Sequence, residues 1–203
     1  MKADRPDRAR PILDQGRAMR RVVSGMGLLV FLVGTLLIEG RDLVKADESR
    51  ATAMQNPVLI QTLDDLVNLS AAQLNQLYQQ SGPGPVPTGR VVGRALYPDA
   101  KNPRARSNAA RIAWQGKVFD PSTSTATNRF FGVKAIKGNV YLGPSWYDGQ
   151  PSMILDYEGT SRIYGDYRDE IRQIAPGLYL GLMYNRTKAP PTLKMYFAFD
   201  ARP

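Results

Sequence analysis

Cysteine and histidine are both missing from this 203-residue chain. Without them there is no thiol nucleophile, no disulfide, no Cys/His zinc site and no imidazole acid–base catalysis. Any chemistry falls to carboxylates, Tyr, Lys, Arg or Ser, and the fold must hold by packing alone. No GxxxxGK[ST] or GxGxxG segment follows a strand and opens a helix, so the glycines make no phosphate cradle. Neither a cofactor nor a metal is expected. The basic residues outnumber the acidic ones, 27 to 18, yet they are not gathered into an aromatic-interleaved patch, so no nucleic-acid partner is expected either.

Charges are also absent from the seventeen-residue run Val22–Ile38, VVSGMGLLVFLVGTLLI. At 1.5 Å per residue it just crosses a bilayer core of about 30 Å. Arg17, Arg20 and Arg21 stand before it and a mixed set of charges follows, which by the positive-inside rule keeps the N-terminus cytoplasmic and exports the rest. The expected organisation is a cytoplasmic basic tail over 1–21, a transmembrane signal anchor over 22–38 and a linker over 39–56. The expected location is the cytoplasmic (inner) membrane, single-pass, with the C-terminal domain facing the periplasm or cell exterior. The rival reading is a cleaved signal peptide ending near Val44-Lys45-Ala46.

In 57–80 the apolar residues recur at helical spacing, and Ser70 with Gln73 forms a capping box, so two short amphipathic helices meeting near 68–70 are predicted. The Pro/Gly-dense SGPGPVPTG stops them and opens a β domain over 81–203. There, short alternating runs predict strands near 91–97, 110–119, 129–136, 139–146, 152–158, 168–175, 178–184 and 193–199. Gly138-Asn139, Asp148-Gly149 and Pro176-Gly177 read as turns between them. The fold class is mainly β: an antiparallel up-and-down barrel of about eight strands, since closure removes the exposed edges of a meander. A sandwich or an open sheet over the helices is the alternative. Leu193, Met195, Phe197 and Phe199 are expected inside. Leu178, Leu180, Leu182 and Tyr184 oppose Tyr179, Gly181 and Met183, so both faces of that strand need cover.

The segments WQGKVFD at Trp114–Asp120, VYLGPSWYDGQPSMILDY at Val140–Tyr157 and DEIRQIAPGLYLGLMY at Asp169–Tyr184, together with Asn128, resemble bacterial proteins with a small calycin-like, that is lipocalin-like, barrel. IAWQG at Ile112–Gly116 partly resembles a Gly-x-Trp-x-Gly motif and lacks its first glycine. The resemblance spans roughly the last 90 residues; it implies a barrel and carries no activity or catalytic residue with it.

In such a barrel Trp114, Lys117, Tyr141, Trp146, Tyr157, Arg172 and Tyr179 are the candidate ligand-binding residues, lining a pocket for a hydrophobic or amphipathic small molecule. The same side chains could instead simply fill a small barrel. A second reading makes the chain a structural subunit of a membrane complex, docking a partner through Leu59, Leu63, Leu66, Leu74 and Leu77. A third is an isomerase or hydrolase with Asp169 or Glu170 as base and Tyr157 or Arg172 stabilising charge, which requires those groups to converge. The strand period puts Arg168, Glu170 and Arg172 on one face and Asp169 on the other.

Overall fold

Thr62 and Ser70 each begin a short helix in the computed structural model, which describes residues 59–203. The basic tail, the anchor, the linker and the alternative cleavage site expected from the sequence lie outside the described residues. Among the described residues no helix is long and apolar enough to cross a membrane. Helix α1 covers Leu63–Leu66 and α2 covers Ala71–Gln79. Both start with a reciprocal capping box, Thr62 with Asp65 and Ser70 with Gln73. Each box satisfies backbone N–H groups that a helix start leaves without partners.

After the Pro/Gly stretch come β1 (Gly89–Leu96), α3 (Pro103–Ala113), β2 (Trp114–Asp120), β3 (Thr125–Phe130) and β4 (Val133–Pro144). They are followed by β5 (Pro151–Asp156), β6 (Tyr167–Ala175), β7 (Leu178–Asn185) and β8 (Thr192–Asp200). Every strand pairs antiparallel with its sequence neighbour, and β8 returns to pair with β1. The described residues therefore form a closed eight-stranded meander barrel with no open sheet edge.

Several predicted boundaries move. Residues 110–113 belong to α3, which the alternation did not reveal; Asn102 caps it through its side chain and Pro103 sits in its first turn. The Gly138-Asn139 turn is not a turn. β4 runs straight through it, absorbing the irregularity as a register shift opposite Thr127/Asn128 with Ile136 at φ 62°. The β3–β4 hairpin instead turns at Phe131-Gly132, with φ 48° and 82°, the handedness that a two-residue loop between twisted strands requires. Pro176-Gly177 does turn β6 into β7, with Gly177 at φ 72°.

The sheet is buried on both faces along part of its circumference. On the outside, Leu66, Leu74 and Tyr78 from the helices pack on Leu178, Leu180, Leu182, Tyr184, Tyr196 and Ala198. Each fully buried leucine contributes roughly 1.5–3 kcal/mol by removal from water. Leu193, expected inside, joins this outer layer, because a register shift between Met183 and Tyr184 changes the facing of β8 at its start. Leu66 and Leu74 are fully buried and Leu63 and Leu77 are packed against the same cluster. The apolar stripe foreseen as a partner site is thus covered by the chain's own barrel, leaving only Leu59 exposed.

Candidate functional site

The inward side chains are large, and they meet across the barrel. Tyr179 stacks on Phe199 with centroids 4.8 Å apart, Phe119 lies 5.4 Å from Phe199, and Trp114 meets Phe197 edge-on at 5.7 Å. Small residues make room for them. A Cβ on Gly181 would come within 2.1 Å of the Phe197 ring, and one on Gly93 within 2.7 Å of Trp114. Met153, Leu155, Ile171 and Phe199 have no exposed surface at all. Such values leave no water-sized space against these side chains, so the middle of the barrel is solid.

Within this apolar filling sits one polar centre. Lys117 on β2 projects inward opposite Asn128 on β3, and Asp169 on β6 reaches it from the far wall. The Lys117 ammonium donates to Asp169 Oδ2 at 2.8 Å, to Asn128 Oδ1 at 2.9 Å and to Tyr157 Oη at 3.0 Å. Tyr157 in turn donates to Asp169 Oδ2 at 2.7 Å and accepts from Asn128 Nδ2 at 2.8 Å. Trp114 Nε1 closes the set on Asn128 Oδ1 at 3.0 Å. Every donor of Lys117 is used, which a buried ammonium needs. Phe197 lies 4.9 Å from the same nitrogen, ring face toward the cation. Within this set of side chains, Asp169 Oδ1 has no hydrogen-bond partner.

Burial holds the Lys117 amine below the usual lysine range, against the opposing pull of the Asp169 charge. Burial and the neighbouring Asp169 charge push the Tyr157 phenol well above its ordinary value. Tyr164, 5% exposed, covers this end of the interior, its ring 5.7 Å from Tyr157 and 6.4 Å from Phe130.

A second polar group lies on the outer face of the same strand. Arg172, fully buried, donates to both oxygens of Asp148 at 2.6 and 2.7 Å, to the Tyr78 carbonyl at 3.0 Å and to Ser152 Oγ at 2.9 Å. It thereby ties α2 to the β4–β5 loop, and its bonds hold the Asp148 carboxyl below the usual range. Glu170 accepts from Ser145 Oγ and from the Trp146 N–H at 2.9 Å, holding the start of that loop. Burial raises its carboxyl above the ordinary range. Trp146 lies over the Arg168 guanidinium at 4.2 Å, and Tyr141 bonds Asp156 on the outside at 3.0 Å.

Of the residues singled out from the sequence, Trp114, Lys117, Tyr157 and Tyr179 are therefore inside the barrel, with Tyr179 toward the end away from Lys117. Tyr141, Trp146 and Arg172 are outside it. Asp169 meets Tyr157 inside the barrel, while Glu170 and Arg172 stand together on the opposite face of the sheet, joined through Ser145, the Tyr78 hydroxyl and Ser152. Asn128, at the hub, was not among the predicted site residues. Its signal is an amide in an otherwise apolar inward set, Ala126, Asn128 and Phe130. The concavity next to α1 is separate from all of these: an open cleft of about 300 Å³ whose lining includes Asp64, Arg94, Arg111 and Asp200.

These features define a class, the closed antiparallel eight-stranded barrel with a filled interior and an outer helical layer. No protein-family model and no curated protein matches the chain. A solved structure described as a protein from Thermomonospora curvata is similar with a TM-score of 0.46 at 16% identity, over 67% of this chain and 90% of that one.

Proposed function

We propose that the chain is a membrane-tethered, non-catalytic barrel that acts through its outer surface as an interaction module. The observation that carries this reading is the solid interior: the groups that could do chemistry, Lys117, Asp169 and Tyr157, are bonded to one another and walled in by Phe197, Trp114 and Tyr164. In that setting they specify one packing of the barrel. The tether is supported by the uncharged run Val22–Ile38 with Arg17, Arg20 and Arg21 before it. The likeness to lipocalin-like barrels is a likeness of architecture, and a hollow calyx would require the Phe119, Phe197 and Phe199 rings to leave their places.

Titration of the full chain, extracted in mild detergent, with a fluorescent fatty acid tests this. The expected result is no saturable uptake and no co-purifying apolar molecule in native mass spectrometry. Stoichiometric uptake, abolished by a bulky substitution such as Ala126→Phe, would overturn the solid-barrel reading in favour of a lipid-binding calyx.

A further inference from the structure

Exposed apolar side chains gather at one corner of the barrel, where the end of α3 meets the β3–β4 hairpin. Ile112, Phe131 and Val133 are 71%, 43% and 64% exposed. They are neighbours because the Phe131 N–H donates to the Ala113 carbonyl at 2.9 Å and Val133 pairs with Phe130 across the hairpin. Ile163, also exposed, follows the same end of the barrel beside Tyr164. Isolated exposed apolar residues are ordinary, but a cluster on a turn is not. Phe131 moreover occupies the left-handed region, where a residue with a bulky side chain costs about 1–2 kcal/mol and where glycine or asparagine would serve the turn better.

The chain segments that form the end of α3 and the β3–β4 hairpin carry charge of one sign. Between Asp99 and Asp120, and again between Asp120 and Asp148, the sequence contains no acidic residue. Arg129 reaches the Gly132 carbonyl at the turn, Lys134 follows Val133, and Arg162 precedes Ile163 on a loop that also carries Glu158 and Asp166. A two-residue turn is a tip and has no groove in which to seat a helix or strand. A fluid anionic surface has no such requirement: it accepts apolar tips among its headgroups and offers phosphates to the flanking cations.

We infer that this corner docks on an anionic lipid surface, with Ile112, Phe131 and Val133 entering the headgroup layer and the exposed Lys134 and Arg162 meeting lipid phosphates. The inference rests on the outer-surface reading and names its partner.

The full chain is reconstituted in vesicles of brominated phosphatidylcholine, with or without an equal part of phosphatidylglycerol, and compared with Phe131→Trp. The wild-type Trp114 and Trp146 set the baseline. In anionic vesicles, emission from the indole introduced at position 131 should fall by about half at low salt and recover as salt screens the cations. Lys134→Glu with Arg162→Glu should abolish the anionic preference without moving the melting temperature. Equal emission with and without bromine in both vesicle types overturns the proposal, as does quenching indifferent to lipid charge and salt. Because no step involves uptake of a fatty acid, failure here leaves the solid-barrel reading to its own test.

Discussion

Replacing Lys117 by methionine isolates the polar centre. The side chains are of similar length, so the substitution removes the ammonium while leaving most of the volume. It deletes the bonds to Asp169 Oδ2 at 2.8 Å, Asn128 Oδ1 at 2.9 Å and Tyr157 Oη at 3.0 Å. Asp169 is then a carboxylate, 1% exposed, whose remaining partner is Tyr157. Breaking a buried pair by removing one member costs about 3–5 kcal/mol, because the survivor is left buried without its partner. For a domain of this size that lowers the melting temperature by roughly 10 °C or more. Replacing both members, Lys117→Met with Asp169→Leu, leaves no ion pair inside the barrel and should restore most of the loss, to within about 1–2 kcal/mol of wild type. Trp114, bonded to Asn128 within this network, gives an intrinsic fluorescence readout for thermal unfolding. A single variant that melts within about 2 °C of wild type, or a double variant worse than the sum of the singles, would refute the reasoning.

Other consequences are equally specific. Gly181→Ala places a Cβ 2.1 Å from the Phe197 ring and should destabilise by about 1–3 kcal/mol, with Phe197→Leu recovering part of the loss in the same melting assay. Glu170 has a raised carboxyl pKa from burial, so it costs stability above its folded pKa and nothing below its unfolded value. The stability of Glu170→Gln relative to wild type should therefore improve as pH rises from about 4 to 7, and a flat difference across denaturant titrations would contradict this assignment. Burial raises the Tyr78 phenol to about 12, so its contribution is intact below about pH 10 and is lost as pH climbs through 12. Tyr78→Phe should remove a late ionisation from the 295 nm absorbance titration.

Much of this barrel is visible in the alternation after residue 90, because each strand has an inward apolar set and the helices carry a matching stripe. Ser70 with Gln73 located the α1–α2 junction, and Pro176-Gly177 the β6–β7 turn, since both act through nearest neighbours. What failed was non-local. Gly138 reads as a hairpin tip, yet in the sheet it is small because a Cβ there would sit 2.8 Å from the Asp156 carbonyl. Phe131-Gly132 carries the turn with a residue that seldom takes positive φ. α3 has no apolar stripe; Ser107 is its one fully covered residue, bonded to the Ala95 carbonyl and to Arg94, so periodicity had nothing to report.

The site divides along the same line. Strand alternation placed Arg168, Glu170 and Arg172 together and Asp169 opposite, as observed. It did not say that both faces would be covered. Arg172 is buried outside the barrel because α2 and the β4–β5 loop close over it, and that depends on Tyr78 and Asp148, distant in sequence. Lys117 and Asp169 are drawn together by register across the barrel, which no local pattern encodes.

Xenon is the most direct probe of the central claim, since it occupies any apolar void of atomic size and leaves packed interiors alone. A crystal of the full chain pressurised with xenon should show no bound atom among Phe119, Phe197 and Phe199. A well-occupied xenon site between those rings would mean that the barrel is hollow, and the account built on its solidity would be wrong.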